Sequence, residues 1–285
     1  MRINHNISAM ITQGALYHVN RDMSKSLERL STGLRINRAS DDAAGLGVSE
    51  NLRTQILGAS QAQRNAQDGI SAMQIAEGAA NEVSSILQRM RELAIQSAND
   101  TLTSTERAYT NAEFTNLKSE IDRIANVTNY NGMGLISSAS TRFGISTATA
   151  GSGSVLWIDA NNTVGTDSIT VTIATLSAQQ LSVNASSVST QTAAVTAVSA
   201  IDSAIDSVNS MRANIGAFVN RLEHAINNLI IAETNQSAAE SMIRDVDFAT
   251  ESTNFTRSQI LTQSATAMLA QSNMVPSSVL KLLGG

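Results

Sequence analysis

The chain has 285 residues, 19 basic and 24 acidic, for a net charge of −5 with histidine neutral. Cysteine is absent, which excludes disulfides, thiolate metal sites and cysteine nucleophiles. Hydrophobic residues make up 42%, aromatics only 3% and charged residues 15%, a mixture that suits close helix packing better than a large ligand pocket.

Helical spacing begins near the start, where Leu16, Val19, Met23, Leu27, Leu30 and Leu34 follow steps of three and four. Ile3, Ile7, Met10 and Ile11 extend that stripe towards the N-terminus. Asp41 and Asp42 are N-cap candidates for a second helix reaching about Asn99. Within it Met73, Ala76, Ala80, Val83, Leu87, Met90 and Ala94 form a heptad seam. A third helix is expected over Glu106–Val127, ending at the turn signal Asn131-Gly132. From Ser137 to about Ser187 the chain is rich in Ser, Thr, Gly and Asn, with two β-branched runs, Ser154–Ile158 and Ser168–Ala174. Ile169, Val171 and Ile173 alternate with threonines, and Asn161, Asn162 and Gly165 fit a hairpin loop between the runs. Helical rhythm resumes near Ala193 through Val198, Ile201, Ile205, Val208, Ile215, Val219, Leu222, Ile226 and Leu229. A last helix is expected over Ala238–Asn273, carrying Phe248, Phe255, Leu261, Met268 and Leu269, with Pro276 breaking or kinking it at Val275. Val279, Leu280, Leu282 and Leu283 close the chain. The fold class is therefore mainly α: a long antiparallel helical bundle made from both chain ends, with a small β-hairpin insertion in the middle.

Catalytic constellations do not emerge. Gly45 and Gly47 lack the third glycine of a dinucleotide loop, since position 50 is Glu50. Asp245 and Asp247 are two residues apart, which on a helix points them to different faces; they read as solvated or paired carboxylates near a helix start. His5, His18 and His224 form no metal motif. No cofactor is expected, and no enzyme. No basic run suits phosphate neutralisation, so no nucleic-acid partner is expected. Nor is any stretch apolar for long enough to span a membrane. The N-terminus has no apolar core of a cleaved secretory signal, which by itself reads as cytoplasmic. The apolar, weakly charged ends admit two readings: a bundle within one molecule, or segments that gain order only against neighbouring copies.

The end segments carry specific motifs. LERLSTGLRINRASDDAAGLGVSENLR runs from Leu27 to Arg53, NAQDGISAMQIAEGAANEV from Asn65, LQRMRELAIQSAN from Leu87 and EIDRIANVTNYNGMGLI from Glu120. SAAESMIRDVDFATESTNFTRSQIL and MLAQSNMVPSSVLKLL follow near the C-terminus. Over roughly residues 1–136 and 190–285 the chain closely resembles a bacterial flagellin.

That resemblance implies a structural subunit that polymerises into the extracellular flagellar filament, exported without a cleaved signal peptide. It places residues 1–42 and 240–285 in an inner terminal coiled coil, 43–136 and 188–239 in a helical shell, and 137–187 in a short Ser/Thr-rich β-hairpin insertion. The Ser/Thr-rich stretch 137–192 admits two readings, a carrier of O-linked sugars or an exposed loop of ordinary composition. Subunit contacts are expected from Ile3, Ile7, Ile11, Leu16, Met23, Leu27, Leu30, Leu34, Phe248, Phe255, Leu261, Met268, Leu269, Leu280 and Leu283. The partners implied are copies of itself, the flagellar export apparatus, a flagellin chaperone, and the filament cap and hook–filament junction proteins. Gln88, Arg89, Leu93 and Glu113 match the family's face for a host Toll-like receptor; the plainer reading of these four is packing between subunits. Three rivals remain to be weighed. A hook–filament junction protein shares this architecture, a chemoreceptor bundle would be more charged, and a peptidase insertion lacks any histidine between His18 and His224.

Overall fold

The computed structural model describes residues 5–137, 154–161 and 167–283, with side chains as far as Met274. Among them are five helices: α1 (Ile7–Thr32), α2 (Ala43–Ala98), α3 (Ser104–Val127), α4 (Gln191–Arg244) and α5 (Phe248–Leu283). Two antiparallel pairs of short strands accompany them, β1 (Asn129–Tyr130) with β2 (Met133–Gly134) and β3 (Ser154–Trp157) with β4 (Ser168–Val171). The expected mainly α fold with a small hairpin is what forms. Asn162, Gly165 and residues 138–153 of the Ser/Thr-rich stretch lie outside the described residues.

Local chemistry sets the helix ends. Asn6 caps α1 through its side-chain oxygen on the Ala9 N–H at 3.1 Å. Gly33, at φ +74°, closes α1 with its N–H on the Arg29 carbonyl at 2.9 Å. Asp42 opens α2 by accepting from the Gly45 N–H at 2.9 Å. A β-carbon at Gly45 would sit 2.5 Å from that same carboxylate, so the glycine reads as a close-packed helix start. Arg107 caps the other end of α2, donating to the carbonyls of Ser97 and Asn99 at 2.9 and 2.8 Å. Thr103 and Glu106 form a reciprocal capping box at the start of α3. Asn131 and Gly132 have φ of +50° and +77°, the paired left-handed conformation of a tight hairpin turn, here joining β1 and β2.

Two boundaries differ from the sequence expectation. Residues 238–244 belong to α4, and the chain leaves the helix at Asp245–Asp247 because its backbone pairs with the α1–α2 connector. Leu34 and Asp245 form an antiparallel bridge, Arg35 donates to the Arg244 carbonyl at 2.6 Å, and Val246 donates to that of Gly33 at 3.0 Å. Asp247 then restarts the helix as the cap of α5, accepting from the Ala249 N–H at 2.9 Å. Nor does Pro276 end the last helix, since α5 continues to Leu283. Proline removes one donor and crowds one carbonyl, and here the neighbouring turns carry the helix on.

The chain divides into two compact units: a terminal unit of residues 1–54 and 235–285, and a central unit of Gln55–Thr234. The central unit holds the core. Every residue of the α2 seam, from Met73 to Ala94, is fully buried, as are Ile201, Val208, Ile215 and Leu222 of α4 and Phe114 and Ile121 of α3. Arg91 pairs with Asp202 at 2.6 Å, and Gln63 donates to Glu233 at 2.7 Å, which fixes α2 and α4 antiparallel. The β3–β4 hairpin lies on α2, where Asn65 donates to the Trp157 carbonyl at 3.1 Å. Leu156 fits over Gly69, leaving only 2.6 Å for any β-carbon there. Ile169 and Val171 point from β4 into the core.

Leu87→Ala removes a fully buried side chain and is expected to cost the central unit about 3 kcal/mol, measured as a lower urea midpoint at unchanged slope.

Candidate functional site: the paired chain ends

In the terminal unit, α1 and α5 pack along a seam that is more polar and less buried than the central unit's core. On α1 the seam face is Ala9, Thr12, Leu16, Val19, Met23, Ser26 and Leu30; on α5 it is Glu251, Phe255, Ser258, Thr262, Ala265, Leu269 and Ser272. Both follow alternating steps of four and three, the spacing of a coiled-coil seam. Five of those fourteen side chains are small hydroxyls and a sixth polar one is Glu251. Asn6 donates to the Ser272 carbonyl at 3.0 Å, the Ser272 and Ser8 hydroxyls meet at 2.9 Å, and Arg29 lies 3.4 Å from Glu251. Among the described side chains of this unit, Ile36 is the only apolar one that is fully buried.

Many large apolar side chains instead face outward. Ile7, Met10, Ile11, Tyr17 and Leu27 of α1 are exposed, Ile11 to 68%. On α5, Phe248, Ile260, Leu261, Met268 and Met274 are exposed, Met268 to 63%. Charge is scarce beside them: Arg257 is the one charged residue from Ser252 to Met274, and from Ile7 to Asn20 there is none. The residues expected to make subunit contacts therefore fall into two sets. Leu16, Met23, Leu30, Phe255 and Leu269 line the seam, with half-buried Leu34 at the bridge to Asp245, whereas Ile7, Ile11, Leu27, Phe248, Leu261 and Met268 are exposed. Ile3 and the side chains of Leu280 and Leu283 lie outside what is described. The polar seam residues, Ser26, Glu251, Ser258 and Thr262 above all, were missed by a search for apolar spacing, although Glu251, Ser258, Ala265 and Ser272 themselves recur every heptad.

A polar knot closes the seam at the α1–α2 connector. Lys25 lies 2.7 Å from Asp41. That contact holds the Asp41 carboxyl below the usual aspartate range against the opposing effect of burial, with the N–H groups of Arg38 and Asn37 adding to the lowering. Asp247 is held low by the Thr250 hydroxyl and then by the N–H groups of Thr250 and Ala249. Arg35 donates to the Ile243 carbonyl at 2.5 Å, and Arg244 to Glu50 at 2.8 Å.

A second group of expected residues sits on the central unit. Arg89 bridges Glu113 and Glu92, each at 2.9 Å, and these partners, Glu92 first, raise its pKa. Gln88, Arg89 and Glu113 are at the surface. Leu93 is 1% exposed and belongs to the core beneath them.

The fold is one of long helices with an apolar-faced terminal pair and a well-packed central core, and comparison with known proteins gives its family. The bacterial flagellin N-terminal helical region matches residues 3–141, and the bacterial flagellin C-terminal helical region matches residues 198–283. A flagellin of Halalkalibacterium halodurans is 46% identical, a flagellin of Bacillus subtilis 44% and flagellin FlaB2 of Treponema pallidum 42%, each over 99% of this chain and 100% of its own length. The crystal structure of Bacillus cereus flagellin, 32% identical, aligns with 62% of this chain and 94% of its own at a TM-score of 0.47. The chain belongs to the bacterial flagellins, a structural and non-enzymatic family, and is a subunit of the flagellar filament. Nothing in these likenesses favours a hook–filament junction protein. Among the described residues no helix is long and apolar enough to cross a membrane.

The lowered carboxyls of Asp41 and Asp247 lend the terminal unit stability that is complete above the ordinary aspartate value of 3.8. That stability is lost as pH falls through their lower folded values. Proteolytic protection of the chain ends, followed from about pH 6 to pH 2, should fall on the acid side, and Asp41→Asn with Asp247→Asn should flatten the fall. An acid limb untouched by both changes contradicts the assignment.

Proposed function

We propose that the exposed apolar faces of α1 and α5 are the surfaces through which this flagellin subunit meets its neighbours, and that their burial drives polymerisation. The observation that carries this is the terminal pair itself, whose seam mixes apolar with small polar groups while Ile7, Ile11, Leu261 and Met268 stand outside. A free helix pair with such faces leaves apolar area in water, and burial of that area is the main favourable term in association. Contacts between unlike faces that do not close into a ring build an open helical polymer. In this reading residues 1–42 and 240–285 are the inner coil of the filament, 43–136 and 188–239 its helical shell, and 137–187 a short outward hairpin. Ile3, Leu280 and Leu283 belong to the same proposal as expected subunit contacts.

The experiment is a pair of double substitutions, Ile7→Ser with Ile11→Ser and Leu261→Ser with Met268→Ser. Exposed positions tolerate such changes within about 0.5 kcal/mol, so the melting of the dispersed chain should hold. The polymer that sediments under salt-induced assembly should fall by roughly tenfold or more. Normal polymer yield from both variants sinks the reading.

Finer partners follow from family membership. The subunit would leave the cell through the flagellar export apparatus with its N-terminus uncleaved, escorted by a flagellin chaperone, and would meet the filament cap and the hook–filament junction proteins. On the free chain, Gln88, Arg89 and Glu113, supported from below by Leu93, present a face for a host Toll-like receptor; within the filament the same residues serve packing between copies. Supporting it is the surface cluster of Arg89 with its two carboxylates, an anchor of the kind that concentrates binding energy. Arg89→Ala should weaken receptor activation by roughly tenfold while leaving the melting temperature in place; undiminished activation rules the face out.

A further inference from the structure

Of the fourteen seam side chains of α1 and α5, Glu251 is the one that carries a charge, and it is 6% exposed. We propose that Glu251, through Arg29, sets the register in which the two chain ends pair. The proposal rests on the reading that these paired ends build the filament, and it names the residue that decides how they align.

Three contacts record the register. Arg29 meets Glu251, the Thr262 hydroxyl points to the side-chain oxygen of Asn20 at 3.5 Å, and Asn6 binds the Ser272 carbonyl. At that offset Leu16 lies level with Ala265, Met23 with Ser258 and Ser26 with Phe255, each a large side chain against a small one. Sliding α5 by one heptad towards the start of α1 would set Ala9 against Ala265, Thr12 against Thr262, Leu16 against Ser258 and Val19 against Phe255. None of these pairs is a clash or an isolated charge, so the rest of the seam discriminates poorly between the two alignments.

Glu251 does discriminate. In the slipped alignment it would lie level with Met23 and beside Asp22, with Arg29 left a heptad behind. A buried carboxylate without a cation is costly, and a single polar group at a coiled-coil seam is a well-attested means of fixing register. Sliding the other way would carry Glu251 past Thr32, the end of α1. Lys25, one turn from Arg29, is no substitute partner, because it is engaged by Asp41 at 2.7 Å. The Leu34–Asp245 bridge fixes where the connectors meet, so a slip of one heptad, about 10 Å along the axis, also opens that bridge; within the helix pair, α5 starts at Phe248 and Glu251 is its first seam residue.

Because the chain has no cysteine, introduced pairs report register directly. Leu16→Cys with Ala265→Cys reads the native alignment, and Leu16→Cys with Ser258→Cys reads the slipped one. In full-length protein, intramolecular disulfide appears as a monomer band of altered mobility on a non-reducing gel, scored in sedimented polymer and in dispersed chain. With Glu251 in place the native pair should dominate. Glu251→Ala should move the ratio towards the slipped pair by roughly tenfold or more, and the exchange Arg29→Glu with Glu251→Arg should restore it. A ratio unchanged by Glu251→Ala in polymer and dispersed chain alike overturns the proposal, as does an exchange that restores nothing. If chains with Glu251 intact form no polymer, the filament reading fails instead, and the register claim is decided on the dispersed chain.

Discussion

Apolar burial governs this molecule through its uneven distribution. In the central unit, Met73, Val83, Leu87 and Met90 of α2 and Ile201, Val208 and Ile215 of α4 are sealed from water, and the Asn65 tether holds the hairpin over one side. In the terminal unit the same kinds of side chain also stand outside, while the seam mixes Leu16, Met23 and Phe255 with serines, threonines and a glutamate. A seam of that composition aligns α1 and α5 antiparallel without burying their outer apolar faces. The central unit buries its apolar side chains within one chain, whereas the terminal pair leaves many of its own exposed.

Electrostatics is arranged to match. Ion pairs and capping carboxylates gather at the connectors, where Lys25 meets Asp41, Arg244 meets Glu50, and Asp247 caps α5. Exposed pairs of this kind contribute little individually, but together with the backbone bridge at Leu34 they fix where the chain ends depart. Along the helices beyond, charge almost vanishes, so little desolvation of ions opposes contact between apolar faces.

Much of this is legible in the sequence, for identifiable reasons. The α2 seam could be read because its large and small apolar side chains fall at heptad steps with polar residues between them. The β3–β4 hairpin could be read from the alternation of Ile169, Val171 and Ile173. The terminal pair was only half legible. Leu16, Met23 and Leu30 do line its seam, but Leu27, Ile7 and Ile11 share the same three-four rhythm and face away. Spacing reports that a face exists; it does not report which of two faces the partner takes, and here the seam runs through hydroxyls that hydropathy ignores. The break before α5 was hidden because its cause lies some two hundred residues away in sequence, in the backbone of Gly33 and Arg35. Arg89 and Glu113 could be named from the motif, but the burial of Leu93 beneath them required three dimensions.

The outward apolar stripe of α1 and α5 has a thermodynamic corollary. Association driven by removing such area from water is entropic near room temperature and lowers heat capacity. Contacts built on Ile7, Ile11, Leu261 and Met268 should therefore loosen on chilling more than the seam behind them, where hydroxyl contacts and the Arg29–Glu251 pair add to apolar packing. Cold would then part neighbouring subunits while each subunit kept its own two ends aligned.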